Sequence, residues 1–408
     1  MSISRRQPGW RNWWAGSLML IATALQAQPV PTPALPSPAA TPVPAAPSVA
    51  GHAYALMDAE TGQLLAGQNE LEPLHPASLT KVMTGYVVAA ELAAGKISAD
   101  DQVLISENAW RQGGAGTDGS FSALAVNSRV KLDDVLRGLV IQSGNDAAIA
   151  LAEHVAGTEA AFADLMNAYA AQLGMQNSHF LNSHGLTAEG HQMSARDVAL
   201  LSRALIREFP EHYQLYSVKE YSYNGIKQYN RNGLLWKDAT VDGIKTGHTS
   251  AAGYCLAASA KRGEQRLISV VMGIQGSRKE GFRQREEGNL ALLNWGFRFF
   301  ETHVIYEAGG KVSEAKVWKG TEETLPLVVQ APLKLTLPRG RYDEVKASIS
   351  LPGNVVAPVA AGAEVGRLSL SFDGKTIAEV PLLAGQAVEE AGFFKSLNDG
   401  FWMWWESD

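Results

Sequence analysis

Pro76-Ala77-Ser78-Leu79-Thr80-Lys81 is the stretch on which the reading of this chain turns. Apolar residues follow at Leu79, Val82, Met83, Tyr86, Val87 and Ala90, the recurrence of a helix with one buried face. No proline interrupts the run before Gly95, a common C-terminal stop. Ser78 is therefore expected at a helix N-terminus, where unpaired backbone N–H groups and the positive dipole end favour an anion. Lys81 follows at i+3, so its amine is expected to face the Ser78 hydroxyl. A serine hydroxyl is a weak nucleophile until its proton is taken, and a partly desolvated lysine can take it. Ser-x-x-Lys recurs by chance in long chains, so partners elsewhere have to decide.

Composition narrows the field. The chain has 408 residues, enough for two or three domains, and a formal net charge of −6 leaves no basic footprint for nucleic acid. A single cysteine, Cys255, rules out an intrachain disulfide and a cysteine-based metal site. The histidines show no His-Glu-x-x-His spacing, so neither metal nor cofactor is expected. Cys255, in an apolar strand-like run, reads as a small buried hydrophobe.

Residues 1–27 carry Arg5, Arg6 and Arg11, then an apolar run from Trp13 to Leu25 and small residues through Ala27. This is the layout of a secretory signal peptide, too short to span a bilayer comfortably. Residues 28–50 are mostly Pro, Ala, Val, Thr and Ser, a semi-extended linker by composition.

Residues 51–302 read as one α+β domain. Tyr54–Asp58 and Gln63–Ala66 form a hairpin around Glu60-Thr61-Gly62, and the Ser78 helix follows. Residues 109–122 read as irregular loop from their Gly, Ser and Thr content. Helical pattern over 132–141 and 147–155 is broken by Gln142-Ser143-Gly144-Asn145, and another helix starts at the N-cap Ser194. Strand-like runs at 241–247, 253–258 and 266–272 precede a closing helix over 290–300. Together these predict an antiparallel sheet flanked by helices. Residues 303–390 alternate in short runs between Pro, Gly and Asp-Gly turns, which predicts a small all-β sandwich or barrel.

Three polar clusters lie in order on the first domain: Ser78-x-x-Lys81, Ser143-Gly144-Asn145 and Lys245-Thr246-Gly247. In that order they resemble the motif set of penicillin-binding proteins and serine β-lactamases. Asn182-Ser183-His184-Gly185-Leu186, Ser194-Ala195-Arg196-Asp197, Asn230-Arg231-Asn232-Gly233 and Lys245-Thr246-Gly247-His248-Thr249 narrow the resemblance. They look like the D-alanyl-D-alanine carboxypeptidases, in the type-5 branch of the low-molecular-mass penicillin-binding proteins. The likeness runs from about Ala50 to the C-terminus.

The resemblance implies a serine β-lactamase/DD-peptidase-like fold and assigns roles. Ser78 would be the nucleophile, neutral Lys81 the base, and Ser143 with Asn145 would relay a proton and hold the substrate backbone. Lys245, Thr246, Gly247 and His248 would receive the terminal carboxylate, Arg285 would add a further cation, and the backbone N–H groups of Ser78 and His248 would form the oxyanion hole. The implied reaction removes the terminal D-alanine from peptidoglycan stem pentapeptides, with β-lactams acylating the same serine. A crosslink endopeptidase, a serine β-lactamase and an idle cell-wall-binding protein are the alternatives. Against the β-lactamase, no Glu-x-x-x-Asn element lies between Ser143 and Lys245, and that class lacks the β-domain. His184 and Asp197 could suggest a serine triad, but without a nucleophile-elbow context they read as structural.

In residues 391–408, Phe393, Phe394, Leu397, Phe401, Trp404 and Trp405 fall within about 120° of a helical wheel, with Trp402 and Met403 off the face. A short amphipathic helix rich in Phe and Trp suits a headgroup boundary. The chain is thus expected to be periplasmic, held peripherally on the outer face of the bacterial cytoplasmic membrane.

Overall fold

A computed structural model describes residues 42–117 and 119–406; the expected signal peptide and residues 28–41 lie outside the described residues. Five antiparallel strands form the central sheet, in the order Leu64–Gln68, Ala53–Asp58, Gln265–Ile274, Gly253–Arg262, Val241–Thr249. The N-terminal hairpin thus pairs with the three strands expected near the domain's end, through contacts such as Ala55 with Val270. Strand alternation explains the two layers. Ala55, Met57, Ala257 and Val270 face the helical lobe, whereas Leu56, Leu256, Ala258 and Val271 pack on Leu292, Leu293 and Phe297 of the closing helix.

The helix Thr80–Ala93 lies between sheet and lobe and is buried on every side from Thr80 to Glu91, not on one face as its period predicts. Its polar members are kept by partners: Thr84 Oγ1 donates to the Ser183 carbonyl at 2.5 Å, and Thr80 Oγ1 lies 2.8 Å from His191 Nε2. The helix Ala195–Glu208 starts as expected, with the Ser194 side chain accepting from the Asp197 N–H.

Three expectations need correction. Residues of the supposed loop at 109–113 belong to the helix Glu107–Gly113, capped by Ser106. The linker's end is docked: Trp295 Nε1 donates to the Pro44 carbonyl at 3.2 Å, and Val49 packs against the closing-helix core. The closing helix runs Arg278–Phe299, opened by a Ser277–Glu280 capping box, so Arg285 lies inside it.

The strand Phe300–Tyr306 follows directly and pairs with Leu333–Pro338. A six-stranded sheet completes the all-β region around Leu325, Leu327, Leu368, Leu370 and Leu382. The two regions are stitched at Asp58, which is fully buried. Its Oδ1 accepts from the backbone of Glu60 (3.0 Å) and Thr61 (2.9 Å), and its Oδ2 from Thr302 Oγ1 (2.6 Å). Thr336 Oγ1 lies 2.8 Å from Thr61 Oγ1 and 3.2 Å from Thr302 Oγ1. Hydrogen bonds to a charged group are worth about 1.5–3 kcal/mol each, and the fully paired cluster offsets the cost of burying the carboxylate. The C-terminal helix, Phe393–Glu406, is pinned on its polar side, where Asp399 Oδ2 accepts from the Lys319 backbone N–H at 2.7 Å.

Candidate active site

Ser78 sits in a 3₁₀ turn, Ala77–Leu79, that leads into the buried helix. Ala77 holds a left-handed φ of 48°, a costly state for a residue with a Cβ, and the surroundings over-determine it. Two remote glycines press on this turn. A Cβ on Gly185 (φ +91°) would overlap the Ala77 carbonyl. A Cβ on Gly247 would stand 2.9 Å from the Pro76 carbonyl oxygen and 3.3 Å from the Ser78 nitrogen. The strand Val241–Thr249 can therefore lie against the Ser78 backbone only because residue 247 has no side chain.

Lys81 is buried, with its Nζ 3.1 Å from Ser78 Oγ, 2.7 Å from Asn145 Oδ1 and 2.7 Å from the His184 carbonyl oxygen. Burial lowers its pKa to about 7, against the opposing charges of Asp146 and Glu159. A neutral amine has two N–H groups and one lone pair. Two oxygens at 2.7 Å take the hydrogens, which leaves the lone pair facing the Ser78 hydroxyl.

The His184 carbonyl is held by its own segment. Ser183 donates from N and Oγ to Glu159 Oε1 at 3.0 and 2.6 Å, Gly185 N donates to Asn182 Oδ1 at 2.6 Å, and Leu186 N donates to His184 Nδ1 at 3.1 Å. Burial, then the Lys81 charge, lowers the His184 imidazole to about 3, so it is neutral. Asp197 is occupied elsewhere, accepting from Asn177 N and Ser178 Oγ at 2.8 Å each. The residues of the triad reading are thus not assembled, and the main-chain oxygen of residue 184 is what reaches the site.

Ser143 follows a π turn, Gly138–Gln142, and adopts a left-handed φ of 69°, while Asn145 opens the helix Asn145–Ala156. Asp146 receives the Ser122 N–H at 2.8 Å, which fastens residues 119–122 beside the cluster. Lys245 is buried as well, and burial, then Lys81, Arg231 and Arg285, hold its pKa well below that of a free lysine.

These residues surround a cleft of about 420 Å³. Ser78, Ser143, Asn145, Thr246, Gly247, His248 and Arg285 line it, and the buried Lys81 and Lys245 stand behind the wall. His248 stacks on Tyr254 with ring centroids 4.1 Å apart. Arg285 donates to the Arg231 carbonyl at 3.2 Å and lies 4.4 Å over the Phe282 ring; burial lowers its pKa to about 10, and its Nε has no partner among the described residues. Arg231 and Arg278 also line the cleft and were not singled out from the sequence, although Arg231 lies in the Asn230-Arg231-Asn232 stretch and Arg278 follows the Ser277 cap. A seryl hydroxyl beside a desolvated amine, with cations on one wall, can form and release an acyl ester of a substrate that ends in a carboxylate.

Residues 40–276 match the D-alanyl-D-alanine carboxypeptidase family of peptidase S11, and residues 300–390 match the penicillin-binding protein 5 C-terminal domain. The D-alanyl-D-alanine carboxypeptidase DacA of Escherichia coli K12 is 43% identical over 362 residues, 88% of this chain and 89% of the relative. The crystal structure of penicillin-binding protein 5 from Haemophilus influenzae is similar with a TM-score of 0.79 and 42% identity, covering 85% of this chain and 99% of that one. Penicillin-binding protein D2 of Listeria monocytogenes, in its cefotaxime-bound form, has a TM-score of 0.55 and 28% identity over 62% of this chain and 100% of its own.

Proposed function

Given that this chain belongs to the D-alanyl-D-alanine carboxypeptidases of the penicillin-binding protein 5 type, we propose that Ser78 is its nucleophile, Lys81 its general base and Ser143 its proton relay. The enzyme is a serine-type hydrolase that removes the terminal D-alanine of peptidoglycan stem pentapeptides through an acyl-enzyme. Ser78 Oγ attacks the carbonyl carbon of the penultimate D-alanine as its proton passes to Lys81 Nζ. The Ser78 and His248 backbone N–H groups take the developing oxyanion; losing one such donor typically costs about 10²–10³ in rate. When the C–N bond breaks, the proton reaches the leaving amine by way of Ser143. Water then hydrolyses the ester with Lys81 again as base. Thr246, His248, Arg285 and the newly found Arg231 hold the substrate carboxylate, with Lys245 supplying field from behind; Asn145 and Gly247 shape the backbone slot.

The observation that carries this reading is the buried Lys81 Nζ, 3.1 Å from Ser78 Oγ with both its hydrogens engaged. Mass measurement after adding penicillin tests it. One adduct per chain is expected, on the peptide that contains Ser78, and none in Ser78→Ala. An adduct that survives in the variant refutes the assignment.

We also infer export to the periplasm by residues 1–27 and peripheral attachment to the membrane by the C-terminal helix. Among the described residues no helix is long and apolar enough to cross a membrane. Phe393, Phe394, Leu397 and Phe401 are exposed, while Asp399 bonds inward, so the face turned to solvent is the apolar one. Deleting residues 392–408 should release the protein from vesicles and leave hydrolysis of a soluble D-Ala-D-Ala peptide within about twofold. With Lys395 the sole base in that segment, binding should change little with salt. A truncated form that still pellets with vesicles overturns the inference.

A further inference from the structure

Arg231, Arg278 and Arg285 all line the cleft, and the assignment above gives work to only two of them. Arg285 is buried and donates to the Arg231 carbonyl, and both stand on the wall assigned to the substrate carboxylate. Arg278 reaches the same cleft from its rim, where it is exposed to solvent. The Phe282 ring joins the outer cation to the inner one. Its centroid lies 5.5 Å from the Arg278 guanidinium and 4.4 Å from that of Arg285, within the range of a cation–π contact for each. Tyr254 fixes the ring from the sheet side, meeting Phe282 edge-on at 5.6 Å while it stacks on His248.

Arg278 is badly placed for stability. It is the first residue of the helix Arg278–Phe299, the end at which the backbone dipole is positive and a cation is disfavoured. Its neighbours oppose it as well. The pKa of Arg231 is pushed down by burial and then by Arg278, and that of His248 by burial, Arg285 and then Arg278. The nearby acids are engaged elsewhere. Among the described residues that line the cleft Glu286 is the one carboxylate, and it is paired with Lys237 at 2.6 Å. Glu280 is held in its capping box with Ser277. A residue that breaks the local rule of its helix without a compensating partner marks a place shaped by function. The chemistry that would relieve both the dipole and the repulsion is an anion in the cleft.

We propose that Arg278 is a specificity-determining residue, a cation at the mouth that captures the terminal carboxylate of the peptide and passes it along Phe282 to Arg285 and Arg231. The proposal rests on the site assignment above, which puts the carboxylate on that wall. Arg278 acts on the encounter and on the non-covalent complex, and the attack by Ser78 proceeds without it. Its contribution therefore falls on KM and leaves kcat alone. An exposed charge is also screened by salt, since the screening length falls from about 10 Å at 0.1 M to about 3 Å at 1 M.

The full chain is to be assayed on a soluble pentapeptide ending in D-Ala-D-Ala, at low salt and near 1 M salt, and its melting temperature followed in parallel. At low salt Arg278→Gln should raise KM about threefold or more with kcat within about twofold, Arg278→Glu should raise it further, and Arg278→Lys should stay near wild type. At high salt the variants should converge. Lys279→Gln removes an adjacent charge that does not line the cleft, and should leave KM nearly unchanged. Stability should move the other way, because Gln or Glu relieves the helix end, so the melting temperature should hold or rise. An unchanged KM in Arg278→Glu, a loss undiminished at high salt, an equal loss in Lys279→Gln, or a melting temperature that falls as KM rises overturns the proposal. The site reading beneath it fails separately, by a penicillin adduct that survives in Ser78→Ala.

Discussion

Glu159→Gln changes the electrostatics of Lys81, the base proposed above, and touches little else. Lys81 is held at about 7 chiefly by burial, and the negative charge of Glu159 is among the influences that oppose the shift. A glutamine keeps an oxygen for the Ser183 N–H and Oγ–H, so the clamp on the His184 carbonyl survives. With a pKa of about 7, neutral Lys81 makes up about one molecule in a hundred at pH 5, half at pH 7 and roughly nine in ten at pH 8. A lysine at its ordinary value would be neutral in only about one molecule in three thousand at pH 7, so burial raises the population of working base by roughly 10³. Acylation by a fluorescent penicillin, followed by stopped flow from pH 5 to 9, should therefore climb about tenfold per pH unit below 7 and level off above it. Removing the Glu159 charge destabilises the protonated amine, so the midpoint should move to lower pH. The rate at pH 5 should rise, while the plateau stays put. A profile flat from pH 5 to 8, or a midpoint that moves upward in Glu159→Gln, would refute the assignment of Lys81 as the base.

The two buried lysines should respond differently to arginine. Lys81→Arg should cut acylation by about 10²–10⁴-fold, because a guanidinium does not give up its proton, whereas Lys245→Arg keeps a cation and should lose less; equal losses in single-turnover acylation would contradict the division. Gly185→Ala should destabilise the fold by more than the about 1–3 kcal/mol of a left-handed alanine, since its Cβ also meets the Ala77 carbonyl. Gly157→Ala, at φ +78° with open space around it, shows the backbone cost alone. Equal denaturation midpoints for the two variants would mean that Gly185 does not brace the Ser78 turn.

Much of the site was legible because the chemistry demands particular side chains at short spacings. Ser78 and Lys81, one helical turn apart, and the Ser194 cap are local signals, and local signals survive folding. What stayed hidden has physical reasons. The closing helix begins with charged residues, and its contacts there use glycines: a Cβ on Gly281 would overlap the Tyr254 ring. Glycine carries no hydrophobic signal, so only the Ser277–Glu280 cap marked the true start. The His184 contact is made by a main-chain oxygen, which no side-chain pattern announces; the side chains of Asn182, Ser183 and Glu159 do the positioning. The all-round burial of Thr80–Glu91 was masked because Thr80, Lys81 and Thr84 look like a solvated face until their buried partners are known.

The Asp58 cluster has a mechanical consequence. No slack separates the two regions, since the closing helix ends at Phe299 and the next strand begins at Phe300. Thr302 and Thr336 are tied to the turn that ends a strand of the central sheet, and Lys334 reaches Glu60 across the same seam at 2.7 Å. At the other end, Asp399 holds the terminal helix to the backbone of Lys319, and the Ala391 N–H donates to the Lys319 carbonyl at 2.7 Å. A pull on that helix is thus passed along the β-region to the catalytic sheet as along a strut, not absorbed as by a leash. If the helix seats on a membrane as proposed above, the cleft would stand off at a set height and tilt, and would reach those strands of cell wall that pass through that layer.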